Sequence, residues 1–185
     1  MKTLKDFINE ELLFKFDPSA HGGKYSEKFI PILDEKDKKY HPEDPEEINY
    51  IIKYKAKSSN KIDLTDVDIS KLDSLRHVGY DISKKIEEVD ISNWDTSNIK
   101  DVEGFFAWCG KLKYIKGIED LNTSNFTNIH CFLAGTLIEM DKKYYVDFSK
   151  YDLSKAKHKY LSIFTDINYP KDKLPKNIDD VPKFE

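Results

Sequence analysis

The chain has 185 residues, 39% of them apolar and 13% aromatic, enough for one hydrophobic core with appendages even though 35% are charged. Its net charge of −4 argues against a general nucleic-acid binder, which would be basic. A mean hydropathy of −0.65, no apolar run near the roughly 18 residues that cross a bilayer and no signal-peptide core predict a water-soluble chain.

Residues 1–16 open with "MKTLKDFINE", where Leu4, Phe7 and Ile8 share one face of a starter helix that Leu12 continues. These ten residues also resemble the N-terminal capsid-targeting peptide of internal head proteins of large contractile-tailed phages, of the form M-K-T-x-x-[ED]-F-I-x-E. The resemblance implies cleavage after Ile8-Asn9-Glu10, making Glu10 the candidate cleavage residue. Similar openings occur on other phage-encoded proteins, so phage origin is implied ahead of packaging. Residues 17–40, with Pro18, Gly22-Gly23, Pro31 and a charged run from Asp34 to Lys39, read as a linker. Residues 41–60 hold a helix: Asp44 can cap it, Pro45 suits its first turn, and Glu46 and Glu47 favour its positive end. Its apolar stripe, Ile48, Ile51 and Ile52, is expected to cap the first strand of a repeat array.

Residues 61–165 carry that array. Trp94-Asp95-Thr96-Ser97-Asn98-Ile99 aligns with Leu121-Asn122-Thr123-Ser124-Asn125-Phe126 at an offset of 27 (94 to 121), which carries Val102 onto Ile129, Phe105 onto Phe132 and Ala107 onto Ala134. Upstream, "VDISKLDSL" from Val67 matches "VDISNWDTS" from Val89 at an offset of 22 (67 to 89), and "VDFSKYDLS" from Val146 echoes both. Within a unit, Ile86, Val89 and Ile91 have the spacing of a short strand with alternate side chains inward. Trp94 follows as an inward anchor, and Asp95 to Asn98 turn the chain through side-chain bonds to neighbouring backbone. Ile99, Val102, Phe105 and Phe106 fall at helical spacing, predicting a short helix behind the strand that Gly110 ends. Trp94, Phe105, Phe106, Leu121, Phe132 and Leu133 are the predicted core. Residues 166–185, with three prolines and no period, are expected to be extended or disordered.

"VDISNWDTSNIKDVEGFFAWCGKL" resembles the BspA-like leucine-rich-repeat family, whose units read roughly D-[LI]-S-x-[WF]-D-T-S-x-V-x-x-M-x-x-M-F-x-x-C-x-x-L. The segment from His41 to Leu72 resembles the helix-then-strand lead-in to such arrays, so the resemblance covers about residues 41–165. It implies an α/β repeat fold: a short right-handed leucine-rich-repeat solenoid of about four units with an N-terminal capping helix. The usual Met positions hold Val102 and Phe105, and the insert "DKKYY" before Val146 departs from the pattern.

Candidate sites are few. Cys109 and Cys131 lack C-x-x-C spacing and the histidines are scattered, so reduced, structural thiols are expected rather than zinc ligands or disulfides. "DLTDVD" has the look of a calcium loop but lacks its Gly and closing Glu. No Ser-His-Asp order, phosphate loop or G-x-G-x-x-G is present, so no catalytic residue, metal or cofactor is assigned. In the repeat register, residues flanking the inward strand pair emerge together: Asp66 and Asp68, Glu88 and Asp90, Tyr114 and Lys116, Glu139 and Asp141. Six of these eight are acidic, predicting either an electronegative face for a protein partner with a basic patch or a solvated surface of an Asp-rich chain.

These readings converge on a non-enzymatic, phage-encoded protein-binding module in the host cytoplasm. It would act on a host protein or defence system, with packaging in the phage head as a further expectation. A structural virion or surface-adhesion module, and an enzyme with its site in the N-terminal 60 residues, are the alternatives.

Overall fold

Asp44 starts the first helix among the described residues. Its backbone is extended, and its Oδ1 accepts the Glu46 and Glu47 N–H groups at 2.9 and 3.1 Å, satisfying donors that no helical carbonyl reaches. Helix α1 (Pro45–Lys55) then buries Ile48, Ile51 and Ile52, and its last turn carries Lys53 and Lys55 at the negative end. Its Asn49 donates to His77 O (3.0 Å) and accepts from Gly79 N–H (2.7 Å), tying the helix to a turn 28 to 30 residues away. The computed structural model describes residues 31, 33–81, 85–157, 159, 163–165 and 168–182, and those from Leu33 onward form one compact unit.

Three strands come next: β1 (Lys61–Asp63), β2 (Glu88–Asp90) and β3 (Tyr114–Lys116), all parallel, in the order β1-β2-β3. Each has a buried middle residue, and Val89 pairs with Ile62 on one side and Ile115 on the other. Isolated parallel bridges join Ser74 to Asp101 and Asp101 to Asn128, so successive passes of the chain stay in step beyond the strands.

The expected α/β leucine-rich-repeat solenoid of about four units does not form. Among the described residues there is one open three-stranded sheet and two α-helices, α1 before β1 and α2 (Leu137–Met140) after β3. Among the described residues no helix lies between successive strands. The segment from Ile99 to Phe106, predicted as a helix, is instead a run of tight turns whose N–H groups bond three residues back: Ile99 to Thr96 O, Phe105 to Val102 O, Ala107 to Gly104 O. Gly104, Phe106 and Trp108 have φ of 65°, 48° and 63°, in the left-handed region that no α-helix tolerates. The same alternation recurs at His77, Gly79 and Asp81, and again at Cys131, Leu133 and Gly135. Reversing handedness at every second residue turns backbone groups sideways, so they bond the neighbouring pass: Gly104 N–H to His130 O, Trp108 N–H to Ala134 O, Phe106 N–H to Val78 O. Gly110, read as a helix stop, is an exposed turn residue with no helix to end.

The doubled T-S-N has a structural explanation. Thr96 and Thr123 are buried, and their Oγ1 atoms donate across to Asn122 O (3.0 Å) and Asp152 O (3.1 Å), stitching one pass to the next. The acidic and amide residues before them make turns: Asp95 accepts from Ser97 N–H, Asn122 from Ser124, and Asp90 from Ser92. Beneath these corners runs an aromatic stack: Phe105 lies parallel to Phe132 at 5.6 Å, and Phe132 parallel to Phe164 at 5.5 Å. The six predicted core residues are all buried.

The C-terminal stretch differs from the expected extended or disordered tail. Its described residues form two short 3-10 turns, Lys171–Lys173 and Ile178–Asp180, and bury Tyr169, Ile178 and Val181 against the core. Apolar residues spaced between prolines are enough to close the end of the stack, although they have no helical or strand period.

Candidate functional site

The predicted acidic ladder is only partly assembled. Glu88 and Asp90 lie in register with Tyr114 and Lys116, but their partners on the other side are Lys61 and Asp63, not Asp66 and Asp68. The offset of 22 residues is misleading because the phrase V-D-I-S marks a turn. Asp63 accepts from Thr65 N–H and Asp68 from Ser70 N–H, as Asp90 does from Ser92, so β1 ends before Asp66. Val67 pairs with Tyr40 instead. At the other end Glu139 sits in α2, where it accepts the Gly135 N–H at 2.6 Å, and Asp141 caps that helix and accepts from Lys143 N–H. Glu10 lies outside the described residues.

Three carboxylates of the predicted ladder each meet a lysine. Lys61 reaches Glu88 at 2.9 Å, Lys116 reaches Asp90 at 2.8 Å, and Lys55 reaches Asp66 at 2.6 Å. His41 lies 3.3 Å from Asp68 through Nδ1 and 2.8 Å from Asp37 through Nε2. Asp34, Asp37 and His41 bring possible ligand atoms within 4.8 Å of one another. Yet both imidazole nitrogens already face carboxylates, and Asp34 Oδ1 accepts the Lys36 N–H at 2.8 Å, so contacts within the protein account for the group. The strand face is therefore a mosaic, with Tyr114 exposed at 45% beside Lys116. Cys109 is buried with its Sγ directed at Gly79 O (3.0 Å), a packing role, whereas Cys131 is half-buried and its thiol is pushed up by burial, with Glu103 and Glu139 adding to the effect.

A second surface was not singled out by the sequence. Trp108 is 47% exposed and Tyr80 38%; among the described residues Tyr114 is the other exposed large aromatic, while Tyr40, Tyr50, Tyr54, Tyr144 and Tyr145 are half-buried. The signal for it was available, since an offset of 27 places Trp108 against Gly135 (108 to 135). A Cβ on Gly135 would come within 2.5 Å of the Trp108 ring, so the indole lies flat over a glycine.

A family model described as "Mycoplasma protein of unknown function, DUF285" matches residues 48–176, more than two thirds of the 185-residue chain. The chain belongs to the DUF285 family. The matched span runs from within α1 through all three strands to the first 3-10 turn of the C-terminal stretch, and is consistent with the BspA-like resemblance of residues 41–165. It does not extend to the N-terminal decapeptide. No curated protein and no solved structure matches the chain.

The turn chemistry of this DUF285 chain makes its stability pH-dependent. Hydrogen bonds from Ser97, Ser149 and Ser154 hold the Asp95, Asp147 and Asp152 carboxyls below their usual range, and Thr65 does the same for Asp63. A folded-state pKa below the unfolded one contributes stability that is present above the unfolded value and is lost as pH falls through the folded one. The urea midpoint should thus hold steady near neutrality and fall below about pH 4. Replacing all four with Asn, which keeps a turn acceptor but cannot titrate, should flatten that fall. A midpoint independent of pH down to about pH 2.5 in the parent chain would exclude the turns as its source.

Proposed function

We propose that this protein is a non-enzymatic protein-binding module for a partner with a basic patch. The observation that carries the reading is the exposure of Tyr80, Trp108, Tyr114 and Met140, where the other large apolar side chains among the described residues are buried or half-buried. Large aromatics left in water are concentrated at interfaces, where they bury much area for little lost side-chain freedom. The net charge of −4 favours a basic partner over an acidic one. The test is capture from host lysate on immobilised protein, washed at increasing salt. A single stoichiometric protein, released by salt and not retained by heat-unfolded protein, is the expected result. Equal retention on the unfolded control would remove the reading.

The decapeptide Met1–Glu10 supports a narrower version, in which the chain is phage-encoded, packaged in the head and delivered to the host cytoplasm to act on a host protein or defence system. Virion-derived protein should then begin at Glu11 by N-terminal sequencing. An intact Met1 on virion protein would sink cleavage, and absence from virions would leave an intracellular role alone.

A further inference from the structure

The pass entered at Val146 has a neighbour on its outer side. Tyr169 Oη accepts the Val146 N–H at 2.7 Å and donates to Val146 O at 2.9 Å. Lys173 O accepts the Phe148 N–H at 2.8 Å, Asn177 Oδ1 the Leu153 N–H at 3.3 Å, and Pro182 O the Lys159 N–H at 3.3 Å. The offsets are 23 (146 to 169), 25 (148 to 173), 24 (153 to 177) and 23 (159 to 182). The C-terminal stretch therefore runs parallel to that pass and in step with it. Earlier passes are linked at offsets of 26 (Thr96 to Asn122) and 29 (Thr123 to Asp152). Residues 168–182 are thus a shortened further pass, with Tyr169, Ile178 and Val181 as its buried apolar side chains.

This pass ends the ladder. Its own turns use the N–H groups of Lys173, Leu174, Ile178, Asp180 and Val181, and Pro170, Pro175 and Pro182 have none. Inside the stack, by contrast, the Val102 and Gly104 N–H groups cross to Asn128 O and His130 O. Prolines and exposed charges such as Lys171, Asp172 and Asp179 blunt an edge against further pairing. The stretch is also lightly held. Its described residues form only 3-10 turns, and seating them buries Lys159, whose ammonium donates to Ile178 O, which offsets part of the apolar gain. Lifting it would free the Val146, Phe148 and Leu153 N–H groups and uncover Tyr145 and Phe148, which the Tyr169 ring meets at 4.3 and 6.0 Å. A row of freed donors beside aromatic rings is a template for another edge of the same kind. Near the other end of the stack, Val67 already pairs with Tyr40, so the matching free edge is that of a second copy. We infer that residues 168–182 are a detachable strap that keeps the chain monomeric, and that the edge beneath it pairs with the same edge of a second copy in a closed two-fold dimer. This inference does not depend on the protein-binding reading above.

The test uses the full chain carrying Tyr169→Ala with Ile178→Asp, which removes the hydroxyl anchor and places a charge under the strap. Amide exchange should speed up by about tenfold or more at Phe148 and Leu153, and by less than about twofold at Val102 and Gly104. Sedimentation velocity should show the parent as a monomer and the variant passing to a dimer as concentration rises, with native near-ultraviolet circular dichroism. An excess of synthetic peptide of residues 168–182 should restore both the protection and the monomer. Equal acceleration at Val102 and Gly104 would make the stretch an integral part of the core and overturn the strap. A variant that opens at Phe148 and Leu153 yet stays monomeric would overturn the second copy as occupant. Association that the peptide leaves unchanged, or that grows past the dimer, would overturn the paired edge. If the double variant unfolds outright, Tyr169→Phe decides, since it keeps the ring and loses only the hydroxyl. Val146 exchange should then rise severalfold in an intact fold, and an unchanged rate would overturn the hold of Tyr169 on that edge.

Discussion

Trp94→Ala should lower the unfolding free energy by on the order of 3–5 kcal/mol. Trp94 is only 7% exposed, so truncation removes most of a large buried ring. The indole also makes a polar contact, since Nε1–H donates to Leu64 O at 3.0 Å and joins the turn after β2 to the end of β1 across 30 residues. Leu64 is fully buried, but its O also accepts the Val67 N–H at 3.1 Å, so the carbonyl keeps one partner when the indole is removed and the cost lies in the lost packing and one hydrogen bond. The ring leans on Phe105 at 6.4 Å, and through it on the stack with Phe132 and Phe164. The cavity would therefore open at the head of the aromatic column, where stacked rings cannot collapse independently. Trp94→Phe retains most of the area but not the donor, and should cost about 0.5–1.5 kcal/mol for the lost hydrogen bond. Urea titration followed by circular dichroism gives both values, with the slope unchanged if only stability has moved. An alanine chain whose midpoint matches the parent would mean that Trp94 does not anchor the stack.

Much of this arrangement was readable in the residues, and the misreadings have physical causes. The offset of 27 between Trp94 and Leu121 is a real spatial register, seen in the stacked rings of Phe105 and Phe132 and in the bridge from Asp101 to Asn128. The cap at Asp44 follows from a short acceptor next to proline, a local effect that tertiary packing does not override. The helix after Trp94 failed because three-residue turns bury about every third residue, and that period is too close to 3.6 for a segment of eight residues to separate them. Positive φ at Phe106, Trp108 and Leu133 could not be foreseen either, since bulky side chains normally exclude it. Neighbouring passes over-determine those conformations through hydrogen bonds that no local pattern encodes. The acidic ladder went wrong for the opposite reason. D-x-S is so strong a turn former that it recurs at Asp68, Asp90, Asp147 and Asp152, whether or not a strand precedes it.

Gly117→Ala should be strongly destabilising, because its methyl group would meet backbone. Gly117 follows β3 directly with φ 87°, where an alanine is strained by ~1–2 kcal/mol before any contact is counted. Its Cβ would lie 2.6 Å from Ser92 Cα and 2.9 Å from Ser92 N, and neither is a side-chain atom that can rotate away. Relief requires the turn after β2 to part from the turn after β3. Ile91 N–H bonds Lys116 O at 3.0 Å at this junction, and Asp90 pairs with Lys116 at 2.8 Å, so parting the turns loosens both. Overpacking of this kind adds ~1–3 kcal/mol, for a total of roughly 2–5 kcal/mol. Gly110→Ala is the control. Gly110 is exposed, and the nearest atom to its added Cβ is Gly135 O at 3.9 Å, an ordinary contact. There the methyl mainly restricts the unfolded chain, so stability should stay level or rise by about 0.4–1 kcal/mol. Thermal melts of the two variants side by side separate the cases. If Gly117→Ala melted with the parent, β2 and β3 would not be as closely apposed as the Ser92 contact requires. If Gly110→Ala melted early as well, the loss would reflect a general intolerance of the turns to side chains rather than the approach of two backbones at Gly117.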